Sequence, residues 1–512
     1  MCNRLLFTLV ILAILTGCAP SGKIGASSDL LVNPDDLRSD VDRAYGQLQK
    51  LHPHLYDYTS KEDLDLRFDS LKSAISGPMS RREFYFSLTP VISSIRQGHL
   101  AVIAPEKKLP LWDWMLVAET GGTPFFRYKM EWFEDHLYIT ENSHGDTTIR
   151  PGTKILAVNG KTPNEWMAPF KPCVQQEGFG SAFADWNIRK KFSQYYYVST
   201  GYTKEAECTL EFADSIWSVT LESYGIRNQR HPDTIPQKVK KLQGYNETLE
   251  SFSTEFRILG PDSTVAILTV RDFLFGNRPV YYEKVFSQID SLKIPNLILD
   301  LRGNPGGMSV GARLLFSYLT DTTFRFLDNT EVAMKGSVFH RNYFHGFPAV
   351  TWPILLIGYP SVMLINSLLY LITHKDEEGR WRMYTIENTP MNPDNHAFHG
   401  DLYVLTDGGT FSAAALLATA IKASRPATFI GTQTGGASNG CVAGYITHTH
   451  LPASKLVLVY GLGLMAPFVK AGTFGYGIQP DIEIRPTLND RIQGMDPELN
   501  AALECILKKR EG

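Results

Sequence analysis

The stretch from Asp401 to Gly436, DLYVLTDGGTFSAAALLATAIKASRPATFIGTQTGG, constrains this chain more than any other. Its apolar run from Leu402 to Leu405 reads as a buried strand. Asp407-Gly408-Gly409 follows, where glycine lets the backbone turn tightly. Ser412 then opens a helix, because Ala413 to Ala423 is a run of strong helix formers. A strand, a glycine turn and a serine at a helix N-terminus place a hydroxyl where free backbone N–H groups and the helix dipole favour negative charge. A centre for acyl transfer needs that arrangement to stabilise an oxyanion. Taken alone, the same serine also reads as an ordinary N-cap.

A second stretch adds to the first. Pro295 to Gly307, PNLILDLRGNPGG, is a buried strand running into a glycine-rich turn. By itself it is a strand exit like many others. Together, Leu299 to Gly307 (LDLRGNPGG) and Val404 to Ala413 (VLTDGGTFSA) resemble the C-terminal processing, or tail-specific, peptidases and the related tricorn core protease. The resemblance implies an α/β catalytic core with a ClpP/crotonase-like spiral, preceded by an N-terminal helical bundle and a PDZ-like β domain. It also implies a serine peptidase that uses Ser412 as nucleophile, with backbone N–H groups of Gly306 or Gly307 and of Ala413 as the oxyanion hole.

The N-terminus reads as a targeting segment. Arg4 supplies a positive start and Leu5 to Leu15 an apolar core of signal-peptide length, too short for a full membrane span. Leu15-Thr16-Gly17-Cys18 resembles a bacterial lipobox, which implies lipidation of Cys18 and a membrane-anchored protein of the cell envelope. The expected division is a signal at 1–18, a tether at 19–32, helices at 33–104, the PDZ-like domain at 105–224, a linker at 225–247, the catalytic domain at 248–486 and a C-terminal helix at 487–512.

The tether is short and rich in small residues, and Asn33-Pro34-Asp35-Asp36 starts the first helix: cap, proline and acids at the positive dipole end. Further starts fall at Ser60 and at Ser80, where Glu83 completes a capping box. The third helix ends at Gln97-Gly98-His99, a usual place for a histidine to cap a helix C-terminus. His136 to Ile139 with Ile149 to Gly160 (IRPGTKILAVNG) gives the PDZ-like match, a strand and a tight Asn-Gly turn, with Cys208 to Leu221 as closing strands. Such domains add an extended peptide to a sheet edge. The alternation of strands and helices from Val265 to Leu319 argues an α/β core. Asp321 to His399 is expected to be irregular, and Gly475 to Asp481 resembles the family's closing GxGxxPD segment.

A serine hydroxyl needs a neighbour to take its proton. The processing peptidases place a lysine there, yet Ala437 stands at that position and Gln433 replaces a second lysine. Lys422 lies ten residues along the same helix, roughly 15 Å away at 1.5 Å per residue. The resemblance then points to the tricorn-like arrangement, with His99 as general base. His52 and His54 match less well, and no third group to orient His99 is assigned.

A net charge of -3 offers no electrostatic case for nucleic acid. No cofactor and no metal is expected: His448 and His450 share a strand face, but no third ligand has recognisable spacing. Cys173 and Cys208 could bridge in an exported protein, though their spacing fits no disulfide framework. The substrates expected are peptides or protein C-terminal regions, and the competing class is a peptide-binding lipoprotein that has lost its base. Oligomeric state is left open.

Overall fold

The computed structural model describes residues 30–103, 123–125, 127–142, 148–223, 245–246, 251–259, 264–274, 278–341 and 352–511. Cys18, the tether up to residue 29 and nearly all of the expected linker lie outside them. The chain divides into two units, 1–109 with 329–385 and 441–466, and 110–328 with 386–440 and 467–512.

The first unit is built on three helices, Pro34–Leu51, Lys61–Ala74 and Arg81–Ser93. Each starts where its cap was expected: Asn33 accepts from the Asp35 amide, Ser60 from Asp63, and Ser80 forms a capping box with Glu83. Their apolar faces share one core with Leu451, Leu456, Leu458, Tyr460 and Leu462, which fall in the span expected to be the catalytic domain. Ala101–Ile103 pairs with Val457–Tyr460, and buried Asp40 accepts from the amides of Ala453 and Ser454. The helical region therefore does not close on itself within 33–104. It needs later sequence to cover its apolar face.

A five-stranded sheet completes this unit, in the order His374–Lys375, Trp381–Met383, Thr330–Val332, Gly463–Met465, Cys441–Gly444. The expectation that 321–399 is irregular is corrected here, since this span also carries a 21-residue helix, Trp352–Ile372. His54 is held at 3.0 Å from both Asp57 and Glu331. Burial opposes its charged form, but Asp57 and Glu331 outweigh it and raise its pKa to about 9. Burial, with the nearby His54 charge, lowers His52 to about 3.

In the second unit the core is a six-stranded sheet: Thr254–Leu259, Val265–Val270, Asn296–Asp300, Asp401–Thr406, Thr428–Gly431, Ile482–Glu483. Only the first pair is antiparallel. The central strands are buried along nearly their whole length, which is why they read as unbroken apolar runs rather than as alternation. On one face Ile267, Ile298, Tyr403, Leu405 and Ile430 pack on Ala502 and Ile506 of the helix Pro497–Glu511. The helices Ser309–Ser317 and Ala413–Ser424 also pack together. The C-terminal helix expected from 487 is in fact two, Leu488–Gln493 and Pro497–Glu511, separated at Gly494, which caps the first with φ +64°.

Residues 128–222 form a five-stranded antiparallel sheet, Tyr128–Phe133, His136–Asn142, Thr153–Val158, Glu205–Phe212, Ser215–Glu222, in sequence order. The Asn159-Gly160 turn has φ of 48° and 74°, which explains the Asn-Gly pair. Cys173 and Cys208 are separate buried thiols, each pushed by burial up to about 12, and they form no bridge.

The sheet's dependence on its C-terminal cover is testable. Ile506→Ala should cost about 2–5 kcal/mol in urea unfolding. Leu507→Ala, on the solvent side and 54% exposed, should stay within about 0.5 kcal/mol.

Candidate active site

Two parallel strands deliver the two glycine turns. Asn296–Asp300 and Asp401–Thr406 are adjacent in register, so their C-terminal ends open on the same edge of the sheet. This is where open α/β sheets present their loops. One carboxylate joins the turns. Asp407 Oδ1 accepts from the amides of Gly303 at 2.7 Å and Gly409 at 2.9 Å. Its Oδ2 accepts from the Trp186 indole at 2.9 Å.

Trp186 belongs to the helix Ala182–Lys190, from the span expected to be PDZ-like. Its ring lies close against the turn: a Cβ built on Gly409 would sit 2.5 Å from Trp186 Cε2, and one on Gly408 would sit 2.2 Å from the Ala182 carbonyl oxygen. Phe183 stacks on Phe411 with centroids 4.0 Å apart. Nothing in the sequence pattern links these residues to the serine, because 221 positions separate Trp186 from Asp407. The glycine pair itself was the available signal, since two consecutive glycines suit a turn on which another group must lie close.

Ser412 follows this turn with φ 51° and ψ -126°, outside the ordinary regions for a non-glycine residue. Such a conformation costs on the order of 1–3 kcal/mol and persists only where its surroundings impose it. They do: Phe411 N–H donates to the Asn304 carbonyl, Thr410 Oγ1 to the Leu301 carbonyl, and Gly435 and Gly436 amides to the Thr410 carbonyl. Ser412 makes no side-chain cap bond to the helix Ala413–Ser424, so the N-cap role does not account for it.

Gly306 lies against the serine. A Cβ there would fall 2.6 Å from Ser412 Cβ and 2.8 Å from the Ala413 nitrogen. Its amide donates to Asn304 Oδ1 at 2.8 Å, and Asn304 Nδ2 donates to the Val270 carbonyl at 2.9 Å. This corrects one expected oxyanion donor: Gly306 shapes the approach, but its N–H is already engaged. Among the described residues, the Gly307 amide has no such partner. Gly307, with φ 135°, pairs through its neighbours, with Phe273 donating to the Gly306 carbonyl and Met308 to the Phe273 carbonyl. Ala413 is the first residue of its helix, where the amide has no intrahelical acceptor.

The candidate bases are placed as follows. Ala437 is buried, and Gln433 Nε2 donates to the Gly477 carbonyl at 3.4 Å. Lys422 is bound to Asp481 at 2.6 Å and lies over the Phe429 ring. His99 belongs to the first unit, in the turn between the helix Arg81–Ser93 and the strand Ala101–Ile103, half-buried.

The arginine of the LDLR stretch has a bracing role. Arg302 bonds Asp300 through Nε and Nη2, and Asp496 through both terminal nitrogens at 2.7 Å. Glu498 lies 3.1 Å away. Burial pushes the Asp300 carboxyl up, but Arg302 and then Arg271 outweigh it and hold it below the usual carboxylate range. Asp496 is likewise held down, chiefly by Arg302 against its own burial.

Residues 264–484 match the family model for peptidase family S41. That span is a serine-type peptidase domain of family S41. Its motif-bearing turns, the LDLR strand and the closing PD segment all fall inside the matched span. The crystal structure of mature CPAF is similar at a TM-score of 0.60 and 15% identity, over 94% of this chain and 98% of that one. Mature CPAF complexed with lactacystin matches equally, at 0.60 and 15%, over 93% and 99%. The photosystem II D1 C-terminal processing protease is similar at 0.43 and 14%, over 89% and 96%. The likeness to the two CPAF structures places the chain on a mixed α/β fold. No curated protein matches the chain.

The lowered carboxylates give a pH prediction. A depressed folded pKa contributes stability that is present above the unfolded value, about 4, and is lost as pH falls through the folded one. Arg302→Met should therefore destabilise most at neutral pH, and the gap to wild type should narrow as pH drops from neutral to below about 4. Urea midpoints across that range measure it.

Proposed function

We propose that this peptidase is an exported, lipid-anchored endopeptidase that cleaves peptides or C-terminal regions of proteins, with Ser412 as nucleophile and His99 as general base. The observation that carries the reading is Ser412 itself. It is a serine held at positive φ, released from capping, at the N-terminus of a buried helix and against a glycine loop. Its Oγ attacks the scissile carbonyl while His99 takes the proton. The amides of Gly307 and Ala413 receive the oxyanion, aided by the positive end of the helix. The tetrahedral intermediate collapses to an acyl-enzyme, His99 returns the proton to the leaving amine, and water then releases the acyl group by the same route.

His99 is preferred on the resemblance, which sets the histidine base N-terminal to the PDZ-like domain at the end of a helical segment; Lys422 is held by Asp481. The sheet of residues 128–222 is read as the PDZ-like module, which would add an extended peptide to its edge. The helix Ala182–Lys190 joins that module to the serine turn. The signal-like start and Leu15-Thr16-Gly17-Cys18 support attachment to a bacterial membrane through Cys18.

Labelling with a serine-reactive fluorophosphonate tests this reading. Wild type should label, Ser412→Ala should not, and His99→Ala should label at least about 100-fold more slowly. His99→Ala labelling at the wild-type rate would remove His99 as base. A folded wild type that never labels would favour a peptide-binding role.

A further inference from the structure

Among the described residues, the helix Trp352–Ile372 is the one long apolar helix that is not mostly buried. Its segment Leu355–Ile372 holds no acidic or basic residue, has a mean hydropathy of 1.8, and has only 6% of its residues buried. A water-facing helix carries polar residues on its outer face, and one that is apolar all round is either core or in contact with lipid. Here the inner face is already occupied: Leu369 packs with Val332, Val338 and Met383, and Asn366 is buried. The outer face is equally apolar. Leu356, Ile357, Leu364, Ile365, Leu368 and Leu371 are 46–81% exposed. At about 100° per residue they cover roughly half the circumference.

Three features say what covers this face. The first is length: 18 residues at 1.5 Å each extend about 27 Å without a charge, far more than a peptide-binding groove requires. The second is the rim at its C-terminal end, where amphipathic side chains of the type that sit at headgroup level are gathered. Lys335 lies over the Tyr370 ring and Lys375 over Trp381, while His374 stacks on half-exposed Tyr384. The acids beside them are largely paired, Asp376 with Arg380 and Arg382, and Glu378 with Arg380. The third is topology. Thr330–Val332 and Trp381–Met383, which flank the insert, pair antiparallel with each other, so the insert leaves and rejoins the unit on one side.

We infer that Leu355–Ile372 is a membrane-docking helix, lying along a lipid bilayer with its outer half sunk among the acyl chains. The insert holds the first unit on the membrane without crossing it. The affinity comes from buried apolar area, as for other interfacial helices. This contact is separate from any lipid on Cys18, and it does not depend on Ser412 or His99.

Photolabelling distinguishes the two attachments. The full chain is mixed with phosphatidylethanolamine–phosphatidylglycerol vesicles whose acyl chains carry a photoactivatable group, irradiated, and cleaved after lysine and arginine. Adducts should appear on the peptide from residue 342 to Lys375. Ile357→Glu with Leu364→Glu should lower their yield on the order of tenfold, with an unchanged circular dichroism spectrum. Adducts confined to peptides around Cys18 would overturn the proposal while leaving the lipid anchor intact. Adduct yield on 342–375 unaffected by the double substitution would overturn it as well. A lipid-free dimer whose 342–375 peptide takes no adduct would assign the face to a second copy of the chain and overturn it too.

Discussion

The Asp407 carboxylate is the interaction on which the serine turn depends. Its two oxygens accept from two glycine amides on different turns and from an indole N–H on a third segment. Hydrogen bonds to an ionised acceptor are roughly twice as strong as neutral ones. Three donors meeting one side chain fix the spacing between the Gly303–Gly307 loop and the Gly408–Ser412 turn. Without that acceptor, Gly303, Gly409 and Trp186 would each hold a poorly solvated donor, at about 1–3 kcal/mol apiece. Ser412 can occupy its unfavourable backbone region only because the residues on both sides are bound in place.

The parallel sheet explains why these turns meet at all. Neighbouring parallel strands send their exits to the same edge, so a glycine turn after each brings two backbone loops into contact. Close contact then demands glycine. Gly306 cannot carry a Cβ without striking Ser412, and Gly408 cannot without striking Ala182. Arg302 works beneath this layer, neutralising buried Asp300 and tying the strand exit to Asp496 and Glu498. An unpaired Asp300 would be strongly destabilising at that depth. The arginine of the LDLR motif thus supports the loop instead of touching the serine.

Much of this was legible in the sequence, and the parts that were not have a common cause. Local signals did well: the caps at Asn33, Ser60 and Ser80, the Asn159-Gly160 turn, the apolar parallel strands and the serine turn each follow from a few neighbouring residues. Long-range partners left no local trace. Trp186 and Phe183 support the serine turn from a helix more than two hundred positions earlier. The helical unit borrows Leu451 to Leu462 for its core, so its boundary could not be seen in 33–104. Trp352–Ile372 escaped notice because glycine and proline at 358 and 360 interrupt it and because it lacks the amphipathic period that marks a water-facing helix. The engaged amide of Gly306 depended on a side-chain bond from Asn304 that spacing does not reveal.

On the proposed role of Ser412 as nucleophile, the clamp at Asp407, and not the serine alone, creates the reactive turn. Its most direct test is the Ser412 labelling rate of Asp407→Ala, compared with wild type at a temperature where both are folded by circular dichroism. The account predicts a fall of at least about tenfold, the effect of misplacing a reacting group by a fraction of an ångström to one ångström. Labelling at the wild-type rate in a folded Asp407→Ala protein would contradict it, and would mean that the Thr410 and Asn304 contacts hold the serine unaided.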